Sequence, residues 1–164
     1  ISEYLVESYH KHKGVPTTIL RSWKLFGEHD SPQSAISNFI KSCLRNEPIS
    51  LFNLGRDTTD PYHVENYCYA VELCLMKNEA VDEAFNVGTG NELSIRQIAE
   101  IIKNMTGSHS ELQLLPPRSS LESDPMRSYP SIGKIERTLG YHPFVTLEEG
   151  LKRTIGFWSQ STSR

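Results

Sequence analysis

The chain has 164 residues, of which 37% are hydrophobic and 23% charged, as is ordinary for a soluble globular domain. Its formal net charge of −3 argues against a nucleic-acid partner held by a basic face, and no apolar run approaches the roughly 20 residues that cross a bilayer. Because the chain begins with neither a cationic segment nor an apolar signal core, we expect a cytoplasmic protein that works without a membrane.

The first predicted element is a helix over residues 1–13, whose apolar face carries Leu5, Val6 and Tyr9. The β-branched segment PTTILR (16–21) then predicts a strand. Glycine and polar residues predict a loop over 23–32.

Ser31 followed by Pro32 predicts the start of the next helix, since serine caps helices and proline suits the first helical position. The apolar segment ISLF (49–52) predicts a strand, and LGRDTTD (54–60) predicts a turn. A helix is predicted over 66–76.

In the second half, Ser94 and Gln97 form the capping box of a helix that Gly107 ends. The other elements predicted there are strands at 84–87 and 112–115, a helix near 132–139 ended by Gly140, and a helix from about 147 with Thr146 and Glu149 as its capping box. Strands and helices therefore alternate, which indicates an α/β fold.

The segment FNVGTGNELS (85–94) lies between a predicted strand and a predicted helix, as a glycine-rich phosphate-binding loop does. Leu93 stands where the third glycine of G-x-G-x-x-G belongs. A turn that needs two permissive residues explains Gly88 and Gly90 equally well.

Other polar residues have two interpretations each. Asp57 and Asp60 are either paired carboxylates for acid–base chemistry or turn residues that cap their own backbone. Arg118 and Arg127 form either a basic binding loop or a pair of solvated side chains.

No metal site is expected. His10 and His12 would point about 200° apart on a helix and cannot share an ion. The cysteines are odd in number and lack a C-x-x-C pair, so we interpret them as small apolar residues on buried helix faces: Cys43, Cys68 and Cys74.

Four ordered strings nevertheless resemble the extended short-chain dehydrogenase/reductase family that acts on nucleotide sugars. They are ILRSWKLFG (19–27), ISLFNLGRDTTDPYHVEN (49–66), AFNVGTGNELSIRQIAEII (84–102) and DPMRSYPSIGKIERTLGYHPFVTLEEGLKRTI (124–155). The last string is most similar to the UDP-glucuronate decarboxylase and dTDP-glucose dehydratase branches of the family. The resemblance covers essentially the whole chain.

The resemblance implies the roles of seven residues. Lys24 stands where the family has an asparagine that touches the diphosphate of the substrate, and Arg118 resembles the arginine that grips this diphosphate, with Arg127 assisting. Ser50 and Phe52 stand in the nucleotide-base pocket, with the aromatic ring against the base. The remaining two are Ser22, near the nicotinamide end of NAD, and Thr59 in the diphosphate site.

Four positions depart from the family pattern. Thr59 replaces a second diphosphate arginine, which removes a charge-assisted and potentially bidentate contact. The other departures are Glu28 for a proline, Asn66 for an aspartate and Ser131 for an aspartate.

By resemblance, residues 1–30 are the last part of a Rossmann-like parallel sheet and 31–164 a small C-terminal α/β substrate-binding part, with interleaved boundaries. Glu3 resembles the glutamate that follows the family's catalytic lysine by four residues. The family's NAD loop G-x-x-G-x-x-G and its catalytic Tyr-x-x-x-Lys are then expected N-terminal to Ile1.

The resemblance thus implies the half of an NAD-dependent epimerase, dehydratase or decarboxylase that binds a UDP-, dTDP- or GDP-linked sugar. Its partners are then a missing N-terminal half and, through the catalytic helix, a second copy in a homodimer. Without that half, residues 1–44 are expected to be poorly packed. The alternative is a stand-alone, non-catalytic binding or interaction module, and the upstream coding sequence separates the two hypotheses.

Residues 1–164 alone are expected to turn over no nucleotide sugar, because the tyrosine and lysine that move the proton are not in this sequence. The test is incubation with NAD and a panel of UDP-, dTDP- and GDP-sugars, followed by product analysis. A product that disappears when a residue within 1–164 is mutated would contradict the prediction.

Overall fold

The computed structural model describes residues 2–119 and 124–162, and Ile1 of the predicted first helix lies outside these ranges. Helices and strands alternate as predicted. The helices are α1 (Ser2–Lys13), α2 (Ala35–Leu44), α3 (Val64–Met76), α4 (Ile95–Thr106), α5 (Gly133–Leu139) and α6 (Leu147–Thr162). The strands are β1 (Thr18–Ser22), β2 (Lys24–Phe26), β3 (Ile49–Leu51), β4 (Thr58–Thr59), β5 (Pro61–His63), β6 (Glu83–Val87), β7 (Leu93–Ser94) and β8 (Leu112–Leu114).

The strands pair across long stretches of sequence, and three of the four pairings are parallel. β1 pairs with β6, β2 with β5 and β3 with β8 in parallel, while the two-residue strands β4 and β7 are antiparallel. Parallel pairs need a crossover connection, and helices supply it here. The predicted α/β class is therefore correct.

Two apolar clusters form the core. The first joins α2, α4 and α6 to β3, and its members include Ile40, Leu51 and Ile102. The second packs α3 and α5 against β5 and β6, and it includes Phe85 and Leu139. The strands β1 and β2, from residues 1–30, pair with β6 and β5, from residues 31–164. The division into a Rossmann-like part and a substrate-binding part stays a prediction.

Most predicted helix ends are observed. Ser94 and Gln97 make a reciprocal capping box, and Gly107 and Gly140 end their helices in the left-handed conformation that glycine adopts without strain. The Thr146 hydroxyl accepts a hydrogen bond from the Glu149 amide (3.2 Å) at the start of α6.

The start of α2 was predicted wrongly. Ser34, not Ser31, caps the helix, and its hydroxyl accepts from the Ser37 amide. The Asp30 carboxylate binds the Ser31 amide (2.7 Å) and the Ser34 hydroxyl, so the Ser31–Pro32 pair forms a turn before the helix. The hydrogen bonds of Asp30 thus favour a helix start at Ser34.

Two short strands lie where loops or turns were predicted. β2 lies within the predicted 23–32 loop, and β4 lies within the predicted 54–60 turn. Each has two or three residues, so its conformation depends on a distant partner strand rather than on its own composition. Phe52, predicted as the end of a strand, instead begins a short 3₁₀ segment.

The cysteine prediction holds for one residue of three. Cys43 is buried in the first core cluster, whereas Cys74 is half-buried and Cys68 is exposed on α3. None of the described helices has the length and apolarity needed to cross a membrane.

Asn66 joins the start of α3 to the segment before α6. Its buried side chain donates to the Val145 carbonyl (2.8 Å) and accepts from the amides of Phe144 (2.9 Å) and Val145 (3.0 Å). Both the oxygen and the nitrogen of the side-chain amide therefore have backbone partners at this position, where the family has an aspartate.

The expected poor packing of residues 1–44 is wrong for α2, which contributes Ile36, Phe39 and Ile40 to the core. It is observed for α1, which has no buried residue and exposes its apolar face. The helix is held by a bidentate ion pair in which Arg21 donates to Glu3 at 2.7 and 2.6 Å.

Leu5 and Leu139 provide a matched test of this difference, because the same residue is 53% exposed in α1 and fully buried in α5. Leu5→Ala is expected to change the free energy of unfolding by less than about 0.5 kcal/mol. Leu139→Ala should cost about 2–5 kcal/mol because it leaves a cavity. Urea unfolding of the isolated chain measures both values, and equal losses would mean that α1 is packed in solution.

Candidate functional site: two clefts beside a buried aspartate

A buried carboxylate organises the loop between β6 and β7. Asp60, at the junction of β4 and β5, accepts hydrogen bonds from the Thr89 amide (2.7 Å), the Gly90 amide (2.8 Å) and the Thr89 hydroxyl (2.5 Å). A Cβ atom on Gly88 would lie 2.5 Å from an Asp60 carboxylate oxygen, so the close approach requires glycine.

The loop is therefore an aspartate-binding turn. Two of the backbone amides that a phosphate would need already bind Asp60, and the phosphate-loop interpretation of residues 85–94 is wrong. Asp60 is likewise not one of a pair of acid–base carboxylates, since it faces its own set of donors. Asp57 accepts from the Asn53 side chain (3.0 Å) and the Met126 amide (3.0 Å).

The first cleft, which we call the aromatic cleft, has a volume of about 750 Å³. Ile49 and Leu51 of β3 are buried, so the alternation of a strand turns Ser50 between them toward the cleft. Phe52 follows with 40% of its surface exposed, and the Arg118 guanidinium lies 4.1 Å from the centre of its ring.

Asp57 fixes two walls of the aromatic cleft at once. Through Asn53 it holds the segment after β3, and through the Met126 amide it holds the 124–127 segment. Asn53 is buried and has a positive φ of 49°, a conformation that asparagine tolerates better than most residues. Phe52 thus lies beside a rigid turn.

The second cleft, which we call the lysine cleft, has a volume of about 380 Å³. It lies where β1 ends and β2 begins. The Trp23 indole donates to the Ser128 hydroxyl (3.1 Å), which orients the ring. Its lining residues are Arg21, Ser22, Trp23, Lys24, Thr59 and Ser128.

The clefts divide the seven predicted site residues into groups. Ser50, Phe52 and Arg118 line the aromatic cleft. The three that line the lysine cleft are Ser22, Lys24 and Thr59. The seventh residue, Arg127, is engaged elsewhere.

Arg127 donates two hydrogen bonds to Glu92, at 2.8 and 2.5 Å. The Arg127 guanidinium, together with a hydrogen bond from the Thr58 hydroxyl, lowers the pKa of Glu92 to about 2. The Glu92 carboxylate in turn raises the pKa of Arg127. The positive charge of Arg127 is therefore balanced by Glu92. That Arg127 assists Arg118 in binding a diphosphate remains a prediction.

Trp23, Ser128 and Met126 are among the contributors to these clefts that escaped the sequence analysis. Trp23 and Ser128 meet only in the folded chain, and Met126 approaches through its backbone amide. No local spacing signals such contacts. Within residues 2–119 and 124–162, no group of three or more His, Cys, Asp or Glu side chains is placed to hold a metal ion.

Glu28, which stands in place of the family's proline, also acquires a partner. Its carboxylate lies 3.2 Å from Nε2 of His63, whose ring is buried and packs edge-on against Phe26. Glu28 follows β2, and His63 ends β5, the strand that pairs with β2.

Comparisons with known proteins point to one enzyme family. Residues 1–88 match the model of the NAD dependent epimerase/dehydratase family. Over 162 residues the chain is 31% identical to UDP-glucuronic acid decarboxylase 1 of Danio rerio, covering 98% of this chain and 38% of that protein.

Solved structures show the same fold. UDP-glucose 4-epimerase of Thermotoga maritima, solved with UDP-glucose, is 29% identical with a TM-score of 0.90, covering 98% of this chain and 52% of that one. UDP-glucuronic acid 4-epimerase of Bacillus cereus, in complex with UDP-glucuronic acid and NAD, is 25% identical with a TM-score of 0.86, covering 97% and 50%. The chain thus spans about half the length of each of these structures.

Asp60→Ala should unfold the chain more easily, because it leaves two amides and a hydroxyl without their acceptor. We expect a loss of about 2–4 kcal/mol, since each unsatisfied buried group costs roughly 1–3 kcal/mol. Glu72→Ala, which removes an exposed carboxylate from α3, is the control. Denaturant titration compares the two variants, and similar midpoints would show that Asp60 does not hold the loop.

Proposed function

This chain belongs to the NAD dependent epimerase/dehydratase family, and on that basis we propose that it forms the nucleotide-sugar-binding part of an epimerase, dehydratase or decarboxylase. The observation that carries the proposal is the aromatic cleft, in which the Arg118 guanidinium lies over the partly exposed ring of Phe52. A nucleotide offers the two matching groups, a flat base and an anionic diphosphate.

In this proposal Phe52 stacks on the base. Aromatic stacking is available to any base, so this contact provides affinity without deciding among uridine, thymidine and guanosine. Ser50, on the same wall, offers a hydroxyl that both donates and accepts hydrogen bonds. The base pocket is thus built from the end of β3.

Arg118 is proposed to bind the diphosphate. Guanidinium groups match phosphate geometry with paired N–H donors. In this structure the Arg118 guanidinium lies over the ring of Phe52, so a base that stacks on the same face has to move it. Binding of the base would then direct Arg118 toward the phosphates that follow the base in the ligand.

NAD is proposed as the cofactor of the intact enzyme, to which it supplies reversible hydride transfer. Ser22 ends β1 with an exposed hydroxyl, which fits a contact to one edge of a cofactor but not a complete site. The amides of Thr89 and Gly90 are bound to Asp60 and do not fit a dinucleotide pyrophosphate. The NAD loop and the catalytic tyrosine and lysine are therefore assigned to an N-terminal half, and binding of NAD by residues 1–164 alone is not expected.

The Glu3–Arg21 ion pair supports this arrangement, because it fixes α1 beside the end of β1 and next to Ser22. If α1 continues the family's catalytic helix, its exposed apolar face provides the surface for the N-terminal half or for a second copy in a homodimer. We also propose that the enzyme is cytoplasmic.

Arg118→Ala in the complete gene product is expected to weaken binding of the nucleotide sugar by about 1.5–3 kcal/mol, as for loss of a hydrogen bond to a charged group. Titration calorimetry with UDP-, dTDP- and GDP-sugars measures the change. Arg137→Ala, on the exposed side of α5, is the matched control and should bind like the parent protein. Equal affinities of the Arg118 variant and its parent would leave Arg118 a solvated side chain.

A further inference from the structure

Residues 124–129, which we call the strap, contribute to both clefts. Asp124 and Met126 line the aromatic cleft, and Ser128 lines the lysine cleft. Ser128 is half-buried and the other residues of the strap are exposed, so apolar burial does not hold the segment in place. The buried Pro130 follows it directly. The strap is therefore a shared wall whose position depends on polar contacts.

Backbone contacts attach the middle of the strap to residues 57 and 58. The Met126 amide donates to the Asp57 carboxylate (3.0 Å), and the Met126 carbonyl accepts from the Thr58 amide (2.9 Å). Both amides exchange their hydrogens with solvent when these contacts open. The two amides therefore report the attachment of the strap directly, without any ligand.

One ion pair lies beside these backbone contacts. Arg127 donates to both carboxylate oxygens of Glu92 (2.8 and 2.5 Å), and the same carboxylate accepts from the Thr58 hydroxyl (2.5 Å). Glu92 thus joins the strap to the strand that holds it. The side chains of Arg127 and Glu92 are 67% and 21% exposed, so the pair can separate without leaving a charge in the protein interior. Exposed ion pairs are weak enough to open and close repeatedly.

We propose that the strap is a movable wall of both clefts and that the Glu92–Arg127 ion pair is the latch that holds it closed. Pro130 is the fixed end, because a Cβ atom on Gly88 would lie 2.6 Å from its ring and Gly88 belongs to the loop that Asp60 holds. Opening of the latch loosens the walls of both clefts together. The latch itself requires no ligand, and only its effect on ligand exchange rests on the proposed function.

Amide hydrogen exchange of the complete gene product, resolved by residue with NMR, tests the latch. Glu92→Gln removes the charge but keeps the size of the side chain and an oxygen that accepts from Thr58. The Thr58 and Met126 amides should then exchange about threefold to fivefold faster, as expected for loss of an exposed ion pair. Glu83→Gln breaks the exposed pair with Lys134, and this matched control should leave both amides unchanged.

Salt provides a readout that a merely structural role of Glu92 would not change. Sodium chloride at about 0.5 M screens an exposed ion pair, so it should speed exchange of the two amides in the parent protein and not in Glu92→Gln. Arg127→Gln should act like Glu92→Gln, and the double variant should have no larger effect.

Two results of the exchange experiment would overturn the latch. One is unchanged exchange of the Thr58 and Met126 amides in Glu92→Gln. The other is equally faster exchange at Ile40, which is fully buried in the core, because it would show a general loss of stability.

Stopped-flow kinetics with a UDP-sugar tests the effect of the latch on ligand exchange. If opening limits both entry and release, Glu92→Gln should raise the association and dissociation rate constants by the same factor, about threefold to fivefold, and leave Kd unchanged. A rise in the dissociation rate constant alone would make the strap a fixed wall and overturn the proposal. If no UDP-, dTDP- or GDP-sugar binds the parent protein, the proposed function fails, and hydrogen exchange still decides whether the latch exists.

Discussion

A buried carboxylate has to be matched by hydrogen-bond donors, and Asp60 obtains them from a loop almost thirty residues further along the chain. This contact ties the β4–β5 junction to the loop that follows β6. Thr59, which immediately precedes Asp60, lines the lysine cleft, and β7, which follows the loop, pairs with β4. The wall of one cleft and the short sheet between the two therefore depend on one side chain. Gly88 is part of the same constraint, since a larger residue would collide with the carboxylate.

The two clefts are built mainly from different parts of the chain. The aromatic cleft is built after β3 and is bounded by the Asp57 contacts, whereas the lysine cleft is built at the end of β1. The two clefts still share two segments: residues 57–59 contribute Asp57 to the aromatic cleft and Thr59 to the lysine cleft, and residues 126–128 contribute Met126 and Ser128.

Long periodic elements could be predicted from the sequence because their signals are local. The capping box of Ser94 and Gln97 and the glycine at 107 each depend on residues within a few positions. The strands β2 and β4 could not be predicted, because two or three residues adopt an extended conformation only when a distant partner supplies hydrogen bonds. The clefts were only partly predictable. Family resemblance indicated Phe52 and Arg118, but the pairing of Arg127 with Glu92 and the contact of Trp23 with Ser128 join residues that no spacing rule connects.

The amide of Asn66 has a consequence for how the C-terminal helix is attached. An aspartate at this position could accept from the amides of Phe144 and Val145 but would need a proton to donate to the Val145 carbonyl. Asparagine makes all three bonds without any proton being gained or lost. The hydrogen bonds of Asn66 therefore involve no titrating group, and acidification that protonates carboxylates leaves them intact. The second link between the two helices, the ion pair of Arg153 in α6 with Glu65 in α3 (2.9 Å), does depend on a carboxylate.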